Sequence, residues 1–315
     1  MRRKIVKRGL AGLAAVAAAS ALTVAVAGTA AAVGTPTGFG AGTTGGGGAA
    51  PVTVTDGAGL VREMQSSGSK VIRFSGTVTI SGMQDVASNK TILGMGSGAT
   101  ITGGGLDIDG VSNVIVQNVN FRNWSDDGIN VQDGSTRIWL DHNNFSNGYD
   151  GALDIKRGSD YITVSWNKFF SHDKTMLLGH SDDNGSQDRG HLRVSYHHNW
   201  FAGTGQRHPR VRFGNPVHVY NNYYAGVTSY GVASTMEAGV LVEGNYFENT
   251  NRACDLGQGS SPAGRLVQRN NTMVNSGACA NNGSGVNGIP YGYSLDPSAN
   301  VKSIVQNGAG VGKIA

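Results

Sequence analysis

Five charged side chains lie at similar positions of a repeated sequence pattern and could together bind a metal ion and an anion. Asp127, Asp150, Lys174 and Arg207 each follow a repeat position by seven or eight residues, and Asp154 lies four residues after Asp150. If successive repeats stack, these side chains line one outer groove that is acidic at one end and basic at the other. Three carboxylates gathered in this way repel one another unless a hard cation binds them, and Ca²⁺ takes such oxygen ligands.

The aspartates can share an ion only if the chain bends between them. A straight strand would hold the carboxylates of Asp150 and Asp154 about 13 Å apart. We therefore expect Gly151 to allow a bend that brings the two side chains together, with Asp127 one repeat below. The alternative is that the three are separate surface aspartates.

Stacking is predicted by an internal repeat, in which an apolar, β-rich run is followed by Asn-x-aromatic or Asn-x-apolar. The repeated asparagines are Asn143, Asn167, Asn199, Asn221, Asn245 and Asn271. They lie 24, 32, 22, 24 and 26 residues apart, and Val119 occupies the same position in a seventh copy. A period this short, without intervening helices, predicts a coil of strands with an asparagine ladder at a tight turn and aromatic rings stacked inside.

The predicted fold class is all-β, a right-handed single-stranded parallel β-helix in which each period forms one rung. A β-propeller would need periods of about 40 residues, which are longer than those observed. Thr53–Ser69, with Leu60, Val61 and Met64 on one face, predicts a short helix that covers the N-terminal end of the coil. The 32-residue step leaves room for a loop, His180–Arg189, that could wall the groove.

Composition divides the chain into three parts. Residues 1–32 combine a basic start with an apolar run that ends at small residues, which is typical of a secretory signal peptide. A retained transmembrane anchor is the alternative, and the Arg2–Arg3 pair alone does not decide the export route. Residues 33–50 are rich in Gly and Thr and predict a flexible linker. Residues 51–315 show no further change in composition and predict one domain.

The net charge limits the class of binding partner, and the cysteine content is informative about disulfide formation. The net charge of +4 and the pI near 9.1 suit an acidic partner, either an anionic polysaccharide or a nucleic acid. The sequence has no run of Lys and Arg with interleaved aromatic residues, which disfavours a nucleic acid. Cys254 and Cys279 are the two cysteines, and in an exported protein we expect them to form a disulfide rather than a reactive thiol or a metal pair.

Several short motifs follow one another in a specific order through the repeat region. They are IWLDH at 138–142, DGALDI at 150–155, ITVSWN at 162–167, HDK at 172–174 and QRHPRVRFG at 206–214. Each motif alone is weak, but the ordered set resembles the pectate lyases of polysaccharide lyase family 1. The resemblance covers nearly the whole region from Pro51 onward.

The resemblance implies a role for each residue of the groove. It implies that three aspartates bind calcium, that one arginine removes the C5 proton of a galacturonate, and that a lysine and a second arginine bind substrate carboxylates. The three aspartates are Asp127, Asp150 and Asp154. The arginine that removes the proton is Arg207, and the residues that bind substrate carboxylates are Lys174 and Arg212. Some members of the family carry a further acidic ligand where Ser125 stands here, and Asp126 is the available substitute, so the number of ligands and of calcium ions stays open.

These implications predict a secreted, extracellular, calcium-dependent pectate lyase that acts as a monomer on polygalacturonate, without nucleic acid or membrane partners. It would cleave the α-1,4-linked chain by β-elimination and give 4,5-unsaturated oligogalacturonides. Because a guanidinium keeps its proton at neutral pH, Arg207 as the base predicts activity that rises into the alkaline range. His142, Asn143 and Asn167 are expected to be structural residues of the coil.

The sequence leaves three alternative functions open. The first is a pectin lyase that acts on methylated chains without calcium, which the three aspartates disfavour. The second is a polygalacturonase-like hydrolase, suggested by the paired carboxylates of Asp126 and Asp127. The third is a non-enzymatic carbohydrate-binding β-helix, which would not require the ordered acidic and basic groove.

Overall fold

A computed structural model describes Met1 and residues 34–314 of the chain. The predicted signal peptide, residues 1–32, lies outside the described residues apart from Met1. Among the residues described, no helix is long and apolar enough to span a membrane.

Short strands, with a few helices, form the described chain. The strands are β1 (Pro51–Thr53), β2 (Lys70–Phe74), β3 (Thr77–Asp85), β4 (Lys90–Gly94), β5 (Thr100–Asp109), β6 (Ser112–Gln117), β7 (Asn120–Arg122), β8 (Ile129–Gln132), β9 (Thr136–Asp141), β10 (Asn144–Ser146), β11 (Leu153–Ile155), β12 (Asp160–Ser165), β13 (Lys168–Phe170), β14 (Leu177–Leu178), β15 (Val194–His197), β16 (Trp200–Ala202), β17 (Arg210–Arg212), β18 (Val217–Tyr220), β19 (Tyr223–Ala225), β20 (Val232–Thr235), β21 (Gly239–Glu243), β22 (Tyr246–Glu248), β23 (Cys254–Leu256), β24 (Arg265–Arg269) and β25 (Thr272–Val274). The helices are α1 (Gly57–Gln65), α2 (Gly185–Asp188) and α3 (Ser298–Gly308), and Gly38–Gly40 forms a 3₁₀ turn.

The strands stack in parallel along three faces of a coil. One face is a ten-stranded sheet in the order β1-β2-β4-β6-β9-β12-β15-β18-β21-β24. The other two faces are the series β8-β11-β14-β17-β20-β23 and β7-β10-β13-β16-β19-β22-β25, joined through the long strand β5. Because each strand pairs with its equivalent in the next rung, the predicted right-handed parallel β-helix is confirmed.

The interior of the coil holds a continuous stack of aromatic rings. The stacked residues are Phe121, Phe145, Phe169, Phe201, Tyr224 and Phe247. Neighbouring ring centroids lie 4.3 to 5.2 Å apart, and the rings are almost completely buried. Stacked rings in register contribute packing energy at every rung and need no ligand to explain them.

Buried asparagines form the predicted ladder, but at one rung the ladder residue is Asn222 and not the predicted Asn221. The amide N–H of Asn199 donates to Oδ1 of Asn222 at 2.9 Å, and the N–H of Asn222 donates to Oδ1 of Asn245 at 2.9 Å. Asn222 therefore takes the ladder position predicted for Asn221, and Tyr224 rather than Tyr223 points into the coil. Two consecutive asparagines occur at this rung, so the spacing alone could not separate them.

The residue before each ladder position, and not the ladder asparagine itself, adopts the left-handed backbone conformation. These residues are Asn118, His142, Trp166, His198, Asn221, Gly244 and Asn270, with φ between 50° and 65°. Asparagine and glycine tolerate this conformation best. The preceding residue therefore turns the chain while the ladder asparagine points inward and binds its equivalent in the next rung.

The N-terminal end of the coil is covered by a helix, as predicted. Helix α1 begins after Asp56, whose Oδ1 accepts a hydrogen bond from the N–H of Gly59 at 2.7 Å, and it buries Leu60 and Met64. The predicted span, Thr53–Ser69, was too long at both ends, because Thr53 belongs to β1 and the helix ends at Gln65.

The C-terminal part of the chain is held by a disulfide and a helix. Cys254 and Cys279 form the predicted disulfide bond. Helix α3, which the sequence analysis did not predict, packs Val301 and Val305 against Tyr223 on the outer wall of the coil.

The Gly-rich segment 34–50 packs against the ten-stranded sheet, which corrects the prediction of a flexible linker for residues 33–50. The N–H of Phe39 donates to Oγ of Ser195 at 2.9 Å, and the side chain of Phe39 is buried. At Gly46, an added Cβ would lie 2.1 Å from the carbonyl oxygen of Lys70. The glycines thus allow the backbone to lie directly on the strands, a role that composition alone does not distinguish from flexibility.

Candidate active site

Asp127 lies in the loop before β8 and is 7% exposed. Its Oδ2 lies 3.3 Å from Nζ of Lys156. Burial raises the pKa of Asp127, and the negative charges of Asp126 and Asp150 raise it further, although Lys156 acts in the opposite direction. The carboxylate is thus removed from water and surrounded by other carboxylates.

Asp154 on β11 is 4% exposed and directly neighbours this group. Burial, with the charge of Asp127, raises the pKa of Asp154 to about 7, while its Oδ1 accepts a hydrogen bond from the N–H of Leu177 at 3.0 Å. An added Cβ on Gly151 would lie 2.4 Å from Oδ1 of Asp154. Gly151 therefore makes room for the Asp154 carboxylate.

Asp150 lies in the loop before β11 and contacts both basic residues predicted for the groove. Its Oδ1 is 3.0 Å from Nζ of Lys174 and 3.9 Å from Nη1 of Arg207. The side chains of Asp150 and Lys174 are 40% and 36% exposed, whereas that of Arg207 is 19% exposed. The structure thus brings Asp127, Asp150, Lys174 and Arg207, from four successive rungs, together on one face of the coil.

Arg207 is held in a strained backbone conformation at this position. Its φ is +66°, a value that costs free energy for a residue other than glycine. Two groups fix its carbonyl oxygen: the N–H of Met176 donates to it at 2.7 Å, and the hydroxyl of Thr175 also donates to it. The same conformation occurs at the turns before the ladder positions, so at Arg207 it shows that the surrounding structure fixes the backbone.

Arg212, the second arginine predicted to bind substrate, is mostly buried on β17. Its Nε donates to Oδ1 of Asp182 at 2.6 Å, and its Nη1 donates to the carbonyl oxygen of Gly179 at 3.1 Å. Asp182 belongs to the loop His180–Arg189, which therefore lies beside the groove, as the sequence predicted. The guanidinium of Arg212 is paired within the protein.

Two residues that the sequence analysis did not assign also form this site. Lys156, the ion-pair partner of Asp127, lies two residues after Asp154 and so projects from the same face of the chain. The Nε2–H of His172 lies 2.8 Å from the carbonyl oxygen of Asp150 and 2.9 Å from that of Lys174. Burial lowers the pKa of His172. His172 thus fixes the two loops that carry Asp150 and Lys174. Its place two residues before Lys174 is the feature of the sequence that could have indicated this role.

His142, predicted to be structural, lies at a turn of the coil with φ of 51°. Its Nδ1 lies 2.5 Å from Oδ2 of Asp141, and its ring stacks on Trp166 with centroids 5.7 Å apart. Asn143 and Asn167, also predicted to be structural, are fully buried in the ladder, where the N–H of Asn143 donates to Oδ1 of Asn167 at 2.9 Å.

The carboxylates do not form a ready-made metal site. Within residues 34–314, no group of three or more His, Cys, Asp and Glu side chains is arranged to hold a metal ion. The ammonium groups of Lys156 and Lys174 lie against Asp127 and Asp150 instead. The donor set nevertheless fits a hard cation, because its donor atoms are carboxylate oxygens. Two of the carboxylates, those of Asp127 and Asp154, are buried and have raised pKa values.

Comparison with known proteins identifies the family of this chain. The pectate lyase family model matches residues 10–314. A pectate trisaccharide-lyase of Bacillus licheniformis is 36% identical over 292 residues, which cover 86% of this chain and 84% of that protein. Pectate lyase E of Dickeya chrysanthemi is 35% identical in an alignment that covers 79% of this chain and 81% of that protein.

The solved structures agree with this result. A pectate lyase of Bacillus sp. N165, in complex with trigalacturonate, superposes with a TM-score of 0.81 and 31% identity, over 88% of this chain and 99% of that one. The fold, the ordered motifs and these relatives lead to one conclusion: the chain belongs to the pectate lyases of polysaccharide lyase family 1 and is a lyase that acts on polysaccharide.

Proposed function

We propose that this protein is a secreted, calcium-dependent pectate lyase that cleaves α-1,4-polygalacturonate by β-elimination. The observation that carries the proposal is the contact of Asp150 with both Lys174 and Arg207, beside the buried pair Asp127 and Asp154. This arrangement offers a cation-binding end and an anion-binding end within one groove.

The buried carboxylates support a calcium site. Burial raises the pKa values of Asp127 and Asp154, and the negative charge of Asp127 raises the pKa of Asp154 further. A bound cation would remove this repulsion, and we expect the ammonium groups of Lys156 and Lys174 to move away from the carboxylates when it binds. When bound, Ca²⁺ would neutralise the carboxylate of a uronate and so stabilise negative charge that develops next to it.

Arg207 would act as the base. In β-elimination the C5–H bond breaks, its electrons form a C4=C5 double bond, and the C4–O glycosidic bond breaks while the leaving oxygen takes a proton from water. The C5 proton passes to the neutral guanidine of Arg207, which forms when the guanidinium gives a proton to solvent water or hydroxide. The ammonium of Lys174, which lies 3.0 Å from Oδ1 of Asp150, would stabilise the charge that builds up on the uronate.

The proposed substrate and compartment rest on relatives and on composition. A relative of known structure was solved with trigalacturonate. The net charge of +4 suits a polyanionic chain, and residues 1–32 have the composition of a leader for export. We propose that the protein acts outside the cell as a monomer.

The deciding experiment is incubation of the purified protein with polygalacturonate, with and without Ca²⁺. We expect ultraviolet absorbance of 4,5-unsaturated ends to appear with Ca²⁺, to disappear with EDTA and to rise from neutral to alkaline pH. A hydrolase would give new reducing ends without this absorbance and would survive EDTA. Activity on methylated pectin alone without Ca²⁺ would indicate a pectin lyase, and polymer binding without new ends would indicate a binding protein.

The role of Arg207 can be tested with a matched control. Arg207→Ala should lower kcat by at least about a hundredfold, because general-base catalysis contributes about 10² to 10⁴. Arg137→Ala removes the same charge from an exposed position on β9 of the ten-stranded sheet and should leave kcat unchanged. Wild-type kcat in the Arg207→Ala protein would contradict the proposed base.

A further inference from the structure

A carboxylate of the protein itself occupies one edge of the guanidinium that is expected to bind substrate. Asp182 accepts hydrogen bonds from Nε of Arg212 at 2.6 Å and from Oγ of Ser261 at 2.7 and 2.8 Å. We propose that Asp182 makes the subsite at Arg212 tolerant of methyl-esterified galacturonate. This inference rests on the proposed function, since it concerns the substrate of the same groove.

The hydrogen bonds of Arg212 support this role. An arginine binds a carboxylate most strongly through two parallel N–H groups. In Arg212 the Nε–H is used by Asp182 and one Nη1–H by the carbonyl oxygen of Gly179. While Asp182 remains in place, Nε of Arg212 is already used. A substrate carboxylate therefore cannot form the pair of parallel hydrogen bonds in which Nε would be one of the two donors.

Charge acts in the same direction. Arg210 also lies here, and its Nη2 donates to Oγ of Ser261 at 2.8 Å. Arg210 and Arg212 together carry a charge of +2, and Asp182 reduces the total to +1. Burial of Asp182 acts to raise its pKa, but the hydrogen bonds from Arg212 and Ser261 outweigh it and the pKa is lowered. Asp182 is therefore ionised at the pH of the assay.

The loop that carries Asp182 is anchored at its C-terminal end. Arg189 makes two hydrogen bonds to Glu237, at 2.9 and 2.7 Å, and the carboxylate of Asp188 accepts from the N–H of Gly158 at 2.8 Å. These anchors hold the C-terminal end of α2, and the hydrogen bonds from Arg212 and Ser261 hold the carboxylate of Asp182 itself.

The consequence concerns the difference between two substrates. A free galacturonate brings a carboxylate, whereas its methyl ester is neutral. An uncompensated Arg212 would strongly favour the carboxylate, but an Arg212 already paired with Asp182 gains less from it. The ester therefore loses less affinity at this subsite than it would in a protein without Asp182.

The test compares kcat/KM on fully de-esterified and on partly methyl-esterified polygalacturonate, measured from unsaturated ends with Ca²⁺. Asp182→Asn should raise the preference for the de-esterified chain about two- to fivefold, the range expected for a partly exposed ion pair. Asp182→Ser should do the same. Asp182→Glu keeps the charge, and Asp183→Asn removes a charge from the exposed adjacent residue, so both should keep the wild-type preference.

Each other outcome has a defined meaning. An unchanged preference in both neutral variants would overturn the inference, as would an equal change in Asp183→Asn, which would indicate long-range charge alone. A change in Asp182→Glu equal to that in Asp182→Asn would overturn it in favour of loop geometry. If Asp182→Asn does not fold, Asp182→Ser decides. Absence of unsaturated ends from the wild-type protein on either substrate would instead refute the proposed function.

Discussion

Asp154 should make the stability of the protein fall as the pH rises, which is the reverse of the usual effect of a paired carboxylate. Burial and the charge of Asp127 raise its pKa from 3.8 to about 7. In the unfolded chain the side chain loses its proton near pH 4, whereas the folded protein retains it up to about pH 7. The contribution of Asp154 is therefore fully present below about pH 4 and is lost as the pH rises through 7.

The size of this effect follows from the difference between the folded and unfolded pKa values. That difference is about three pH units, and each corresponds to 1.36 kcal/mol, so the free energy of unfolding should fall by roughly 4 kcal/mol. Asp154→Asn removes the titration but keeps an oxygen that can accept the hydrogen bond from the N–H of Leu177. Between about pH 4 and 8 the wild-type protein should therefore lose roughly 4 kcal/mol more than the variant.

Urea unfolding in EDTA, followed by circular dichroism at several pH values, measures this difference. Asp183→Asn, an exposed change of the same chemistry, should follow the wild-type curve. Addition of Ca²⁺ at about pH 8 should restore most of the lost stability in the wild-type protein, because a bound cation favours the ionised carboxylate. Parallel loss of stability in wild type and Asp154→Asn would refute this reasoning.

Two further predictions concern the coil itself. Asn167→Ala removes a side chain that makes four hydrogen bonds in the buried ladder, so it should lower the free energy of unfolding by roughly 3 to 5 kcal/mol in urea denaturation; a loss below about 1 kcal/mol would contradict a structural role. Replacement of both Cys254 and Cys279 by Ser opens a link between residues 25 apart and should cost about 3.5 kcal/mol. A thermal unfolding midpoint that is the same with and without a reducing agent would contradict the second prediction.

The fold could be predicted because a stacked coil repeats the same local requirements in every rung. A ladder asparagine and an inward ring two residues later recur at Asn143 and Phe145, and again at Asn167 and Phe169. The error at Asn221 has the same origin, since the turn also requires a left-handed residue and asparagine meets either requirement. Sequence spacing identifies a rung but does not distinguish two asparagines within it.

The packing of residues 34–50 could not be predicted, because it depends on a surface that exists only after the coil has formed. Flexibility and close contact both require glycine, the first for its backbone freedom and the second for its lack of Cβ. The partners of this segment, Ser195 and Thr163, lie more than 120 residues away along the chain. A low content of apolar residues therefore predicted disorder for a segment that backbone hydrogen bonds hold in place.

The candidate site shows the same limit at the level of single charges. The positions of Asp150, Lys174 and Arg207 within the repeat were sufficient to predict that they lie together, because equivalent positions in stacked rungs must be neighbours. Asp182 comes from the loop that breaks the period, so no repeat position predicts that its carboxylate lies on Arg212. The regular part of the coil thus determines which groups form the groove, whereas the irregular insertion changes how much charge those groups present to a substrate.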